Sequence, residues 1–233
     1  MPEPVVLAAP VIIPPTHLSF QIAVKVAQLF ENNGLQVKFL GGPLASRPTF
    51  IIALDEVDLD LAMYLGHGSP YALCMEDPFC QLGFGLEDVP WLRNKILVAN
   101  PACEVGEQFA PRMIEQGGKA CLASIDPMYA AFAEAEHDYM ADWHDYTLTL
   151  YHGLMTETTG DAYQAYQDRC THFIQAYQGN VDNWPNADWY VNSTTRNRDD
   201  FMLFGDPQAK VEYVPSRRER NIIEEAIAIL LGG

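Results

Sequence analysis

Positive charge is scarce in this chain. Its 233 residues hold 14 Lys and Arg against 31 Asp and Glu, a formal net charge of −17. Such a surface repels phosphate backbones and anionic headgroups, so neither nucleic acid nor a membrane surface is an expected partner. Long apolar runs are missing as well, and no window approaches the ~18 apolar residues of a spanning helix. The opening Met1-Pro2-Glu3-Pro4 has no basic stretch, and Pro10, Pro14 and Pro15 interrupt the apolar run behind it. No secretory leader is read there, and the expected compartment is the cytoplasm. Cysteine is sparse and odd in number: Cys74, Cys80, Cys103, Cys121 and Cys170 fit neither a zinc motif nor a disulfide framework. That pattern suits free thiols in a reducing compartment. No Walker motif, no glycine fingerprint in a strand-to-helix setting and no nucleophile-elbow serine occurs, so no cofactor is expected. Internal repeats and low-complexity tracts are missing too.

What is present is a full core and an alternating pattern. Hydrophobic residues make up 48% of the chain, enough for one α/β domain over residues 1–233. Val5 to Ile13 is a continuous apolar run, the mark of a strand buried on both faces. Thr16 can cap a helix striped by Leu18, Ile22, Val26, Leu29 and Phe30 and stopped at Asn33-Gly34. Strands are predicted at Leu35 to Leu40, Leu59 to Leu65, Lys95 to Ala99 and Ala120 to Ile125, with helices over residues 48–57 and 104–116. Asp126-Pro127 reads as the start of another helix carrying Met128, Phe132, Ala135, Tyr139 and Tyr146. One more helix spans Asp161 to Tyr177. Residues 180–200 show no period and read as a surface loop, before a short strand at Phe201 to Phe204. A possible strand at Val211 to Val214 and a closing amphipathic helix over residues 217–231 complete the pattern. Strands alternating with helices predict a mostly parallel central sheet covered on both faces, an α/β architecture. Sites in such sheets form beyond the carboxyl ends of the strands.

Two buried-strand patterns end in reactive residues. Leu61-Ala62-Met63-Tyr64-Leu65 runs into Gly66-His67-Gly68, and Ile96-Leu97-Val98-Ala99 runs into Asn100-Pro101-Ala102-Cys103. Taken singly, His67 reads as a turn histidine and Cys103 as an inert buried thiol. As a pair, each closing an apolar strand, they emerge on one edge of the sheet if the strands are parallel neighbours. Cys103 before a helix N-terminus is placed for a lowered thiol pKa, and an imidazole beside it can act as base and then as acid. The amides of Gly68 and Cys103 are natural oxyanion donors, and the glycines allow close backbone approach to a ligand.

A hydrophobic block ending in His-Gly, followed by one ending in Ala-Cys, resembles the caspase–legumain–gingipain superfamily of cysteine peptidases. The gingipain branch is the nearest likeness, through Gly66-His67-Gly68-Ser69 and Leu203-Phe204-Gly205-Asp206-Pro207. The resemblance spans about residues 5 to 215. It implies a caspase-like three-layer α/β/α sandwich and hydrolysis of peptide bonds through a thioester. His67 would be the general acid/base, Cys103 the nucleophile and Gly68 an oxyanion donor, with a peptide or protein as substrate. Pro101 stands two residues before Cys103, where some relatives that cleave after Arg or Lys carry an acid. Segment 124–129 falls where the family builds its S1 wall, so Ser124, Asp126 and Tyr129 are candidate substrate-binding residues. Asp126 could hold a basic P1 side chain or simply cap a helix. The competing expectation is a catalytically silent scaffold of the same fold.

His137 and His144, seven apart near Asp138, Asp142 and Asp145, share a helix face that could ligate a divalent ion. A solvated acidic face explains the same residues, and no metal is expected.

Overall fold

A computed structural model of the chain describes residues 5–10, 18–55, 60–75, 81, 83–130 and 137–211. The predicted elements at Thr16, Val211 to Val214 and 217–231 fall wholly or largely outside these residues.

The central sheet has six strands: β1 (Val5–Ala9), β2 (Val37–Gly41), β3 (Leu61–Tyr64), β7 (Ile96–Ala99), β8 (Ala120–Ser124) and β9 (Phe201–Gly205). Their spatial order is β2-β1-β3-β7-β8-β9. All pairings are parallel except β8 with β9, which is antiparallel with Ser124 opposite Phe201. A second, small antiparallel sheet joins β4 (Gly68–Ser69), β5 (Ala72–Leu73) and β6 (Phe84–Gly85).

Side chains of a strand alternate between its two faces, and that alternation divides the core in two. Val5, Leu7, Leu61, Met63, Ile96, Val98 and Leu122 point to one side, where Ile22, Val26, Trp143, Leu150, Tyr166 and Tyr190 cover them. Those residues come from α1 (Leu18–Asn32), α4 (Tyr139–Thr156), α5 (Thr159–Gln178) and α6 (Ala187–Asp200). Val6, Ala8, Ala62, Tyr64, Leu97, Ala99 and Cys121 point the other way, against Phe50 and Leu54 of α2 (Arg47–Asp55) and Val105, Phe109 and Met113 of α3 (Val105–Glu115). The result is a three-layer α/β/α sandwich.

Two predicted segments fold differently. No helix starts at Asp126-Pro127; residues 125–130 are irregular, and α4 begins at Tyr139 with Asp138 as its cap, whose Oδ1 accepts from Ala141 N at 3.1 Å. The local signal loses because long-range bonds hold the segment straight: the Asp126 carbonyl accepts from Glu104 N, and the Tyr129 backbone is held by Asn197. Residues 187–200, read as loop, form α6. Its buried face is Ala187, Tyr190, Ser193, Thr194 and Asn197, spaced as a helix but largely polar. A period carried by serine, threonine and asparagine leaves no hydrophobic stripe to read.

The strand order reverses direction between β1 and β3, since the chain steps outward from β1 to β2 and then returns to the other side of β1. The crevice beyond the carboxyl ends next to such a point is where doubly wound sheets bind ligands. His67 and Cys103 lie on the turns that leave β3 and β7 at that edge.

Candidate active site

Strands β3 and β7 are paired in register from Leu61 with Ile96 to Tyr64 with Ala99, so their outgoing turns run side by side. The pairing continues past the strands, with Asn100 N donating to Tyr64 O at 3.2 Å and Gly66 N to Pro101 O at 3.0 Å. A Cβ built on Gly68 would sit 2.7 Å from the Cys103 carbonyl oxygen and 2.4 Å from Val105 Cγ2. Only glycine fits there, and the turn after His67 rests directly on the turn that carries Cys103.

The carbonyl of His67 is fixed from two sides. Cys74 N donates to it at 3.0 Å, and the Tyr64 hydroxyl lies 2.6 Å from it and 2.7 Å from Cys74 O. Tyr64 is fully buried; desolvation, with Cys103 adding and the Cys74 bond opposing, holds its phenol well above the ordinary value. It therefore stays a neutral donor. The bond from Cys74 N to His67 O makes these two the hydrogen-bonded pair of an antiparallel ladder. The next pair, Gly68 with Leu73, is then a non-bonded one, and the Gly68 amide is turned away from β5.

Cys103 is half-buried and lies two residues before the first residue of α3, with Glu104 as the cap in the left-handed region at φ 59°. Met128 brackets the sulfur: its N–H donates to Sγ at 3.4 Å, and its carbonyl lies 3.8 Å from the thiol. The expected depression of the thiol pKa does not occur. Burial raises it, Met128 lowers it, and the nearby carboxylates of Glu104 and Asp126 raise it again, for a net upward shift. The helix amides are outweighed by two negative charges and by desolvation.

The three wall residues take different places. Ser124 is fully buried, and its hydroxyl lies 2.8 Å from Asp126 O, so it shapes the turn beneath the wall. Asp126 is exposed beside Cys103. Tyr129 is half-buried: its N–H donates to Asn197 Oδ1 and its carbonyl accepts from Asn197 Nδ2, both at 2.8 Å. Asp200, which no sequence pattern singles out, joins Asp126 through the β8–β9 edge, where Ile125 N donates to Asp200 O at 2.9 Å. Its carboxyl is held above the ordinary range by burial, by Asp126 and by Asp199, against a smaller opposing effect of Arg196. Asn197 and Arg196 are equally invisible in the sequence, because their roles depend on α6; Met128 falls in the 124–129 segment, but its contact with the sulfur is not legible there.

The other candidates separate. His137 stacks on Trp184 with ring centroids 3.9 Å apart and pairs with Asp142. His144 instead accepts at Nδ1 from Lys25 Nζ at 2.7 Å. Among the described residues no group of His, Cys, Asp or Glu is arranged to hold a metal ion. Cys103, Cys121 and Cys170 are free, but Cys74 is disulfide-bonded, which corrects the expectation of free thiols throughout. Burial raises the Cys121 and Cys170 thiols strongly, Cys170 to about 12.

A mostly parallel α/β/α sandwich with a His-Gly turn laid against a cysteine turn beyond the carboxyl ends of two neighbouring strands defines the caspase-like class of folds. The model of peptidase family C25 matches residues 26–212, and the chain belongs to that family. Among solved structures, the Arg-specific cysteine proteinase gingipain R is similar at 18% identity and a TM-score of 0.64, over 91% of this chain and 48% of that one. The complex of Porphyromonas gingivalis RgpB pro- and mature domains matches at 17% identity and 0.62, over 91% and 49%. The chain thus spans about half the length of the solved structures it matches. No curated protein sequence matches it.

Proposed function

We propose that this chain is a cysteine endopeptidase acting through Cys103 and His67. The observation that carries the reading is the seating of Gly68 on the Cys103 carbonyl, which brings the two reactive turns together. With its pKa raised, the resting sulfur is a thiol, and His67 takes the Cys103 proton as sulfur attacks the scissile carbonyl carbon. The Gly68 amide, turned away from β5, donates to the oxyanion, with the Cys103 amide as second donor. Collapse breaks the C–N bond, the imidazolium protonates the leaving amine, and a thioester remains. A water deprotonated by His67 then attacks the thioester and restores the thiol.

Asp126 beside Cys103, with Asp200 adjoining it, favours a basic P1 side chain. Gingipain R is an Arg-specific proteinase, and an exposed carboxylate at the proposed nucleophile suits the same charge here. Pro101 supplies no acid, so this preference rests on the 126–129 segment.

The competing reading, a silent scaffold, draws on the raised thiol pKa. A chloromethylketone with Arg or Lys at P1 separates the two. Labelling of Cys103, lost in Cys103→Ala and blocked or strongly slowed in His67→Ala together with turnover, is the expected result. An unlabelled Cys103 across pH 6–8, with no turnover for any P1 residue, leaves the scaffold.

A further inference from the structure

Beyond Asp126 the surface dips into a cavity of about 440 Å³, lined by Tyr129 and, from α6, by Trp189, Asn192, Ser193, Thr195 and Arg196. Its charge runs against the rest of the molecule. Acidic residues outnumber basic ones 31 to 14 over the chain, yet among the described residues this lining holds a guanidinium and no carboxylate.

Arg196 is oriented but not neutralised. Its Nη1 donates to the Tyr129 hydroxyl at 3.0 Å, and its guanidinium carbon lies 5.8 Å from the Tyr129 ring centroid. One turn further along α6, Asp200 feels the arginine, but its carboxyl remains above the ordinary range; a full ion pair would hold it below. The Trp189 ring meets Tyr129 edge-on, centroids 6.2 Å apart, and gives the cavity an apolar flank. Thr195 spends its hydroxyl proton on Val191 O at 2.6 Å. Ser193 likewise directs its hydroxyl to Tyr190 O at 3.4 Å, which leaves the guanidinium, the Asn192 amide and the Tyr129 O–H as the donors suited to an anion.

The cavity lies close to the nucleophile in the chain of contacts. Met128 touches the Cys103 sulfur through its own backbone, and Tyr129 is the next residue. The cavity therefore begins at the residue after the one that touches the sulfur, and with a rise of about 3.3 Å per residue we place it two or three positions along an extended peptide passing Cys103.

We propose that this cavity is a specificity subsite for an acidic side chain, Asp or Glu, two or three residues from the scissile bond, with Arg196 binding its carboxylate. Together with Asp126 it selects a peptide carrying a basic and an acidic residue close together. The proposal rests on the peptidase reading and refines its substrate.

The test uses the full chain as Cys103→Ala and end-capped hexapeptides with Arg at one fixed position. Each other position carries in turn Glu or its uncharged isostere Gln, and binding is measured by calorimetry. At one position Glu should bind about tenfold tighter than Gln, as a charge-assisted hydrogen bond predicts. Arg196→Gln should erase that difference, and Arg196→Glu should make Lys the preferred residue there. Equal binding of Glu and Gln everywhere, no binding by any Glu peptide, or a preference that survives Arg196→Glu overturns the proposal. Turnover of the same peptides by the unmodified chain separates the two readings. Cleavage without acid preference removes the subsite and keeps the peptidase. Arg196-dependent binding with an unlabelled, inactive Cys103 keeps the subsite and removes the hydrolysis.

Discussion

A thiol set between Glu104 and Asp126 does not ionise readily, and that bears on the chemistry proposed for Cys103. Burial and both carboxylates disfavour the thiolate, and the Met128 amide is too small a counterweight. Sign matters here: a raised pKa leaves the neutral thiol dominant through neutral pH and puts the thiolate above the ordinary thiol range. Alkylation by iodoacetamide, followed at Cys103 by mass spectrometry, should therefore keep rising past pH 9 rather than level off near 7. Asp126→Asn removes one of the raising charges, so alkylation at pH 7.5 should speed up by about twofold to fivefold. A plateau at neutral pH, or no change in Asp126→Asn, would mean that the sulfur rests as thiolate despite its neighbours. The sequence placed Cys103 before a helix N-terminus correctly, but the charge balance around it was not legible. Glu104 is adjacent in sequence; Asp126 is brought there only by the β7–β8 pairing and by the bond from Glu104 N to the Asp126 carbonyl.

At the scale of elements, α6 holds the 124–129 segment, the proposed substrate wall, in place. Asn197 is almost fully buried, and its amide satisfies both the N–H and the carbonyl of Tyr129 while also donating to the Tyr146 hydroxyl at 3.2 Å. Truncation in Asn197→Ala leaves the partly buried N–H and carbonyl of Tyr129 without this partner, at about 1 kcal/mol or more each. Denaturant unfolding should register a loss of about 2–3 kcal/mol. Because the wall loosens next to Cys103, KM for peptide substrates should rise as well. Asn197→Asp keeps the acceptor for Tyr129 N–H and should lose less; equal stability of all three proteins would show that α6 does not brace the wall. The strands β1, β3, β7 and β8 were readable because each is a continuous apolar run buried on both faces. The helix α1 carries a clear stop signal in Asn33-Gly34, whereas α5, predicted from Asp161, starts two residues earlier at Thr159 behind its cap Thr158. By contrast α6 opens at Asn186 in the left-handed region, with no side-chain cap, and buries hydroxyls and an amide. Asp126-Pro127 shows the reverse error, a strong local signal overruled by bonds from Glu104 and Asn197. Local preferences decide an element only where no buried long-range partner competes.

Over the whole molecule, the excess of 17 negative charges makes acid a stabilising influence in one respect, since protonating carboxylates relieves repulsion. One buried group works the other way. His144 sits on α4 beneath α1, accepts from Lys25 at Nδ1 and packs beside Trp143, with ring centroids 5.3 Å apart. Burial and the Lys25 charge lower its pKa to about 4, with Asp138 opposing. The folded value lies below the unfolded one near 6.5, so the fold favours neutral imidazole. Its contribution is complete above pH 6.5 and is lost as pH falls toward 4, where the unfolded chain binds the proton first. His144→Asn keeps an acceptor facing Lys25 but cannot titrate, while every other charge is shared by the two proteins. Comparing their unfolding free energies at pH 7.5 and pH 5 therefore cancels the general charge effect. The native chain should lose about 1–2 kcal/mol relative to His144→Asn across that interval. If the difference between the two proteins is the same at both pH values, Lys25 and His144 are not coupled through the imidazole lone pair. The contact between α1 and α4 would then owe its stability to packing alone.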